Sequence, residues 1–156
     1  MGRARASIDL PVQVSAAEAL WYETSRWPVF VDGLAHVSKG EGDWPQEGAR
    51  LTWESVPAGR GRVVEVVTSY EVRVGQTVEV EDAQITGTQV VTFAPLGEGR
   101  SRMALELTWK HKFPNVMTPL VDLLFVRRAF TDALRRTLSR FSREVRVDAE
   151  LSETGL

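Results

Sequence analysis

The sequence contains no cysteine, which excludes disulfide bonds, thiolate nucleophiles and cysteine-ligated zinc. Histidine is nearly as scarce. His36 and His111 are the only two, too few for a multi-histidine metal centre. Neither sign of charge dominates: 19 basic and 21 acidic side chains leave a formal charge of -2, which gives no electrostatic ground for a nucleic acid or an anionic membrane as partner. Long apolar runs are absent too. The most lipid-like stretch, residues 116–130, is interrupted by Asp122, Arg127 and Arg128 and is too short to span a bilayer. Residues 1–7 are basic but lack the apolar centre of an export signal. There is no phosphate-cradling glycine loop, dinucleotide fingerprint, zinc-protease helix or nucleophile elbow. The expectation is a soluble cytoplasmic protein, monomer or homodimer, with no metal, no cofactor, no nucleic acid partner and no membrane span. Arginine far outnumbers lysine, a bias of GC-rich bacterial genomes.

What is present is an ordinary globular composition: 156 residues, 43% hydrophobic and 26% charged, enough for one domain with a substantial core. The organising stretch is residues 119–147. Leu120, Leu123, Leu124, Phe130, Leu134, Leu138, Phe141 and Val145 recur at the three-to-four spacing of one buried helical stripe. Thr118 and Pro119 supply a cap and a first-turn proline.

Ahead of that helix the chain reads mainly as strands. Residues 6–14 alternate as a half-buried strand, and Pro11 places it at a sheet edge. Ser15-Ala16-Ala17-Glu18 has capping-box spacing and opens a short helix to about Thr24; residues 28–32 form a second. Strands follow near 35–41, 49–56, 61–71, 75–82, 85–94 and 101–112, separated by glycine and proline turns. The predicted architecture is α+β: a curved antiparallel sheet of about seven strands around one long C-terminal helix, within a core of about residues 6–147.

Side-chain alternation assigns the inner face. Met103, Leu105, Leu107, Trp109 and then His111 point toward the helix, and Leu51, Trp53, Val78, Val80 and Asp82 share that face. For residues 61–71 the predicted inward set is Val64, Val66 and Tyr70; for 85–94 it is Gln89, Val91 and Phe93. Side chains do not fill a strongly curved sheet closed over one helix, so a ligand cavity is expected between the two.

The order strand, two short helices, six strands, long helix resembles the helix-grip fold of the START-related (SRPBCC) superfamily. The segments Val63-Val64-Glu65-Val66, Gly87-Thr88-Gln89-Val90-Val91-Thr92-Phe93 and Leu123-Leu124-Phe125-Val126-Arg127-Arg128-Ala129 are similar to its bacterial polyketide cyclase/dehydrase-like members. The likeness implies a cavity for a hydrophobic ligand and implies no single reaction, because carriers, enzymes and regulators share the scaffold.

The expected function is binding or transport of a small hydrophobic molecule such as a lipid, quinone or polyketide-like metabolite. Its predicted shell is Trp53, Val64, Val66, Tyr70, Val78, Val80, Leu105, Leu107, Trp109, Leu123, Phe130 and Leu134. Arg127, Asp82 and His111 would orient a polar head. Arg127 on the apolar stripe reads either as a ligand-holding cation or as a rim arginine paired with a carboxylate, Asp82 being the natural partner. His111 reads as a general base or as a hydrogen-bonded core histidine. Trp53, Trp109 and Tyr70 offer stacking surfaces or plain core, and Trp44-Pro45 a lid over the cavity mouth or an anchor for a partner. Catalysis is undecided at this level. The enzymatic alternative is a polyketide aromatase/cyclase using His111, Arg127 or Tyr70, and a protein-interaction module using the helix's arginines is a third reading.

Overall fold

A computed structural model describes residues 1–155. Strand β1 (Gly2–Leu10) leads into α1 (Val14–Trp21), a 3-10 turn (Thr24–Arg26) and α2 (Trp27–Phe30). Then come β2 (Leu34–Glu41), β3 (Arg50–Ser55), β4 (Arg62–Glu71), β5 (Gly75–Glu81), β6 (Ile85–Gly97) and β7 (Arg100–His111). The chain ends in α3 (Thr118–Val121), a π-helical turn (Asp122–Val126) and α4 (Arg127–Glu153), which together form one continuous helix of 36 residues. The strands make a single antiparallel sheet in the order β1-β7-β6-β5-β4-β3-β2, with β1 and β2 at its edges.

Several sequence expectations shift by local physics. The first strand runs four residues earlier than the pattern predicts, because Pro11 ends it and Val14 already begins α1. The Ser15–Glu18 capping box does not form. Gln13 is the N-cap residue, and Glu18 is buried. Its carboxylate accepts from the Arg73 backbone N–H at 2.9 Å and from the Arg73 guanidinium, tying α1 to the β4–β5 turn. Trp44 is no lid: its indole N–H donates to the Tyr22 carbonyl at 3.0 Å, and its ring packs edge-on to Trp27.

On β4 the predicted face is inverted for two residues. Val63, Glu65 and Val67 are buried, whereas Val64 and Val66 face the opposite side of the sheet. Both phases of this strand carry valines, so apolarity alone could not choose between them; pairing with β3 and β5 did. A register shift after Val67 then changes the phase before Tyr70.

The helix departs from its predicted stripe in its first turns. Leu134, Leu138, Phe141 and Val145 are buried as expected, but Leu120, Leu123 and Leu124 are exposed and Asp122 is buried in their place. The π turn is the cause. Its wider i→i+5 winding retards the helical phase, so the inward positions become Asp122, Val126, Phe130 and Leu134. Arg127, the first residue of α4, is exposed although it lies seven residues, close to two full turns, before the buried Leu134.

Where the helix does meet the core, aromatic rings dominate. Phe141 packs edge-on against Trp21 and Phe30, with ring centres 5.7 Å and 5.1 Å apart. This cluster fixes α1 and α2 on α4 and sets the floor of the space beside it. Asp32 completes the clamp. It accepts from Arg136 at 3.0 and 3.1 Å and from Arg140 at 3.0 Å, and its own backbone N–H donates to the Thr137 hydroxyl.

Candidate functional site

Between the inner face of the sheet and α4 lies a cavity of about 500 Å³, inside the roughly 300–1,000 Å³ typical of small-molecule sites. Trp53 from β3, Val80 from β5, Gln89 from β6 and Leu105 and Leu107 from β7 form one wall. Val126, Ala129, Phe130, Ala133 and Leu134 form the facing wall, and Trp21 and Trp27 close one end. Small residues on the helix opposite large ones on the sheet leave the space unfilled. The rim is polar: Asp32, Gly33, Ser55, Gly59 and Arg136 surround it, and the β3–β4 loop is pinned there by a bond from Val56 N–H to the Gly33 carbonyl at 2.9 Å.

Two charged side chains enter this largely apolar space. Glu65 is buried on β4 and accepts a 2.7 Å hydrogen bond from the Trp53 indole. Burial pushes its carboxyl above the ordinary value near 4.5, although Trp53 and the nearby Arg60 charge oppose this. Arg60, on the β3–β4 loop, lies between two rings, its guanidinium carbon 5.7 Å from the Trp53 centre and 5.5 Å from that of Phe130. Its Nε donates to Asp82 at 2.8 Å, while its Nη2 is buried without a hydrogen-bond partner among the described residues. The site thus holds a carboxyl biased toward its neutral form beside an incompletely bonded guanidinium, both framed by aromatic rings.

Of the predicted shell, Trp53, Val80, Leu105, Leu107, Phe130 and Leu134 line this cavity. Val78 and Trp109 are buried core, and Trp109 packs on Phe130 at 4.7 Å between ring centres. Tyr70 stacks edge-on with Tyr22 at 5.4 Å, outside the cavity. Val64 and Val66 lie on the other face, and Leu123 is exposed.

The predicted polar head group is redistributed. Arg127 is exposed, reaches neither Asp82 nor the cavity, and has no ion-pair partner among the described residues. Asp82 pairs with Arg60 instead and accepts the backbone N–H groups of Gln84 and Ile85 at 2.8 and 2.9 Å, so it braces the β5–β6 turn. Burial opposes its ionisation, but these bonds prevail and hold the carboxyl below its ordinary value. His111 pairs with Asp122 of the π turn at 2.5 Å, and the Trp109 indole donates to the same oxygen at 3.2 Å. His36 stands exposed on β2.

Sequence reasoning missed Glu65, Arg60 and the two tryptophans of the short helices. Glu65 did leave a signal, since an acid amid the valines of a central strand is costly unless it is put to use. Arg60 left none: it sits in a glycine-flanked loop, and only folding brings that loop over Trp53.

The fold recurs widely among solved structures. The protein TTHA0849 from Thermus thermophilus superposes with a TM-score of 0.73 at 17% identity, covering 94% of this chain and 98% of that one. A START superfamily protein from Mycobacterium smegmatis gives 0.71 at 11% identity, covering 94% and 98%. A point mutant of norcoclaurine synthase from Thalictrum flavum, in complex with a transition-state analogue, gives 0.70 at 12% identity, covering 94% and 95%. At these identities the likeness concerns the fold alone. No curated protein sequence matches the chain. Residues 1–146 match the family described as polyketide cyclase / dehydrase and lipid transport, and this chain, with its sheet gripping one long helix over an apolar cavity, belongs to that family.

Proposed function

We propose that the protein binds a small, largely hydrophobic molecule in the cavity between the sheet and α4, as a carrier or sensor of a lipid, quinone or polyketide-like metabolite. The observation that carries this reading is the space itself: about 500 Å³, walled by Trp53, Leu105, Leu107, Phe130 and Leu134, with polar groups converging at one place. The ring system or chain of the ligand packs against Leu105, Leu107 and Leu134, beside the Arg60 guanidinium that lies between Trp53 and Phe130. Its oxygen-bearing end takes hydrogen bonds from Arg60 Nη2 and from a protonated Glu65.

A second reading is supported by Glu65 in particular. A buried carboxyl pushed above its ordinary range, beside a guanidinium, suits proton transfer during closure of a poly-β-ketone chain, the cyclase alternative. In that reading Glu65 moves the proton and Arg60 stabilises the developing enolate oxygen. Arg127, Tyr70 and His111 lie outside the cavity and do not enter it.

Native mass spectrometry of the purified protein, followed by extraction and identification of bound material, tests the binding reading. A discrete co-purifying hydrophobic molecule, lost in Trp53→Ala or Leu105→Asn with the fold intact, is the expected result. No bound species and no saturable quenching of tryptophan fluorescence by lipids, quinones or polyketides would overturn it. Turnover abolished by Glu65→Gln, with ligand binding retained, would favour the enzyme.

A further inference from the structure

We propose that the segment from Phe113 through Phe125 docks the protein on the surface of an anionic lipid bilayer, seating the first turns of its long helix among the headgroups. The segment is unusually apolar for a surface: Phe113 is 80% exposed, Val116 95% and Phe125 66%, with Leu120, Leu123 and Leu124 each about half exposed or more. They arise where the π turn buries Asp122 and turns the leucines outward.

Three observations favour a lipid surface as the occupant. First, the charges match. Lys110, Arg127 and Arg128 flank the segment without ion-pair partners among the described residues, while its one acid, Asp122, is buried against His111 and Trp109. The net charge of the whole chain conceals this local asymmetry. Second, the apolar side chains of Leu120, Val121, Leu123, Leu124 and Phe125 cover roughly half the helix circumference, wider than the stripe of about 100° with which a helix faces a groove. Lipid surrounds a helix on several sides, and a protein groove does not. Third, the connecting loop satisfies backbone groups internally: Asn115 N–H bonds the Thr118 hydroxyl and Met117 N–H bonds the Asn115 side chain, each at 2.8 Å. That lowers the cost of placing it in a poorly hydrated layer. A second copy fits less well, since two-fold pairing would set Arg127 and Arg128 against their own copies.

The segment does not cross the membrane; no helix among the described residues is long and apolar enough to do so. Its position gives the docking a use. Val126, Ala129 and Phe130, on the next turn, already line the cavity, so a docked protein would hold the cavity beside the headgroup layer. Docking does not depend on the cavity being filled.

Flotation with vesicles of equimolar phosphatidylglycerol and phosphatidylcholine, against pure phosphatidylcholine, tests the proposal. Binding is expected to the anionic vesicles and to fall steeply with salt. Leu124→Asp with Phe125→Asp should abolish it. Arg127→Gln with Arg128→Gln should weaken it about 30-fold, the effect of removing two surface charges. All four positions are exposed, so circular dichroism and melting temperature should stay those of the parent. No binding to anionic vesicles overturns the proposal. So does a self-association at micromolar concentration that Leu124→Asp with Phe125→Asp abolishes while vesicle binding persists unchanged.

Discussion

Ala133→Leu distinguishes a genuine cavity from a core that merely packs loosely. Ala133 lies on α4 between Phe130 and Leu134 and faces the cavity. Leucine adds three carbons there and is nearly as good a helix former as alanine. If those carbons enter empty apolar space, at about 0.8 kcal/mol per buried methylene, the ligand-free protein gains about 2 kcal/mol. For a chain of this length that raises the melting temperature by about 4–8 °C. If instead the region were already filled, the same carbons would overpack it and destabilise the protein by about 1–3 kcal/mol. The two cases differ in sign, so modest precision suffices. The assay is thermal and urea unfolding of delipidated wild type and variant, with fluorescence titration of a hydrophobic probe alongside. The expected variant is more stable and binds the probe at least tenfold more weakly. A less stable variant would refute the cavity as described, and with it the binding reading.

Glu65 makes a prediction about pH. Its carboxyl is pushed above its ordinary value near 4.5 in the folded protein, so the native state holds a proton that the unfolded chain has released. Its stabilising contribution is therefore complete below about 4.5 and is lost as pH rises through the raised folded value. Glu65→Gln, which keeps an acceptor for the Trp53 indole, should be more stable than wild type at pH 8, with the gap closing toward pH 4 in denaturant titrations; a gap independent of pH contradicts the burial argument. Asp122 behaves oppositely. Burial alone would raise its carboxyl, but the bonds from His111 and Trp109 dominate and lower it, so its contribution is present above about 3.8 and lost on acidification through the lowered value. Asp122→Ala strands the buried Trp109 indole N–H and should cost about 1–3 kcal/mol at neutral pH, read by urea unfolding; a loss under 0.5 kcal/mol would show that the π turn is held by other contacts.

The sequence by itself determined the architecture. Alternation along β7 placed Met103, Leu105, Leu107 and Trp109 inward, and the periodicity of Leu134, Leu138, Phe141 and Val145 placed the helix, because both patterns are local and each has one apolar phase. Most strands began within a residue or two of their turn signals for the same reason. Tertiary structure decided what local pattern left degenerate. On β4 two valine phases competed, and pairing with its neighbours turned Glu65 inward and Val64 and Val66 outward. On the helix, one wide turn shifted the phase of the residues before it and exchanged Asp122 for Leu123 and Leu124, while Arg127 stands exposed outside the cavity. Arg60 entered the site from a loop distant in sequence from Phe130, which it covers. Polar groups in such a site are positioned by long-range pairing and by a single turn of altered winding, and neither leaves a period in the chain.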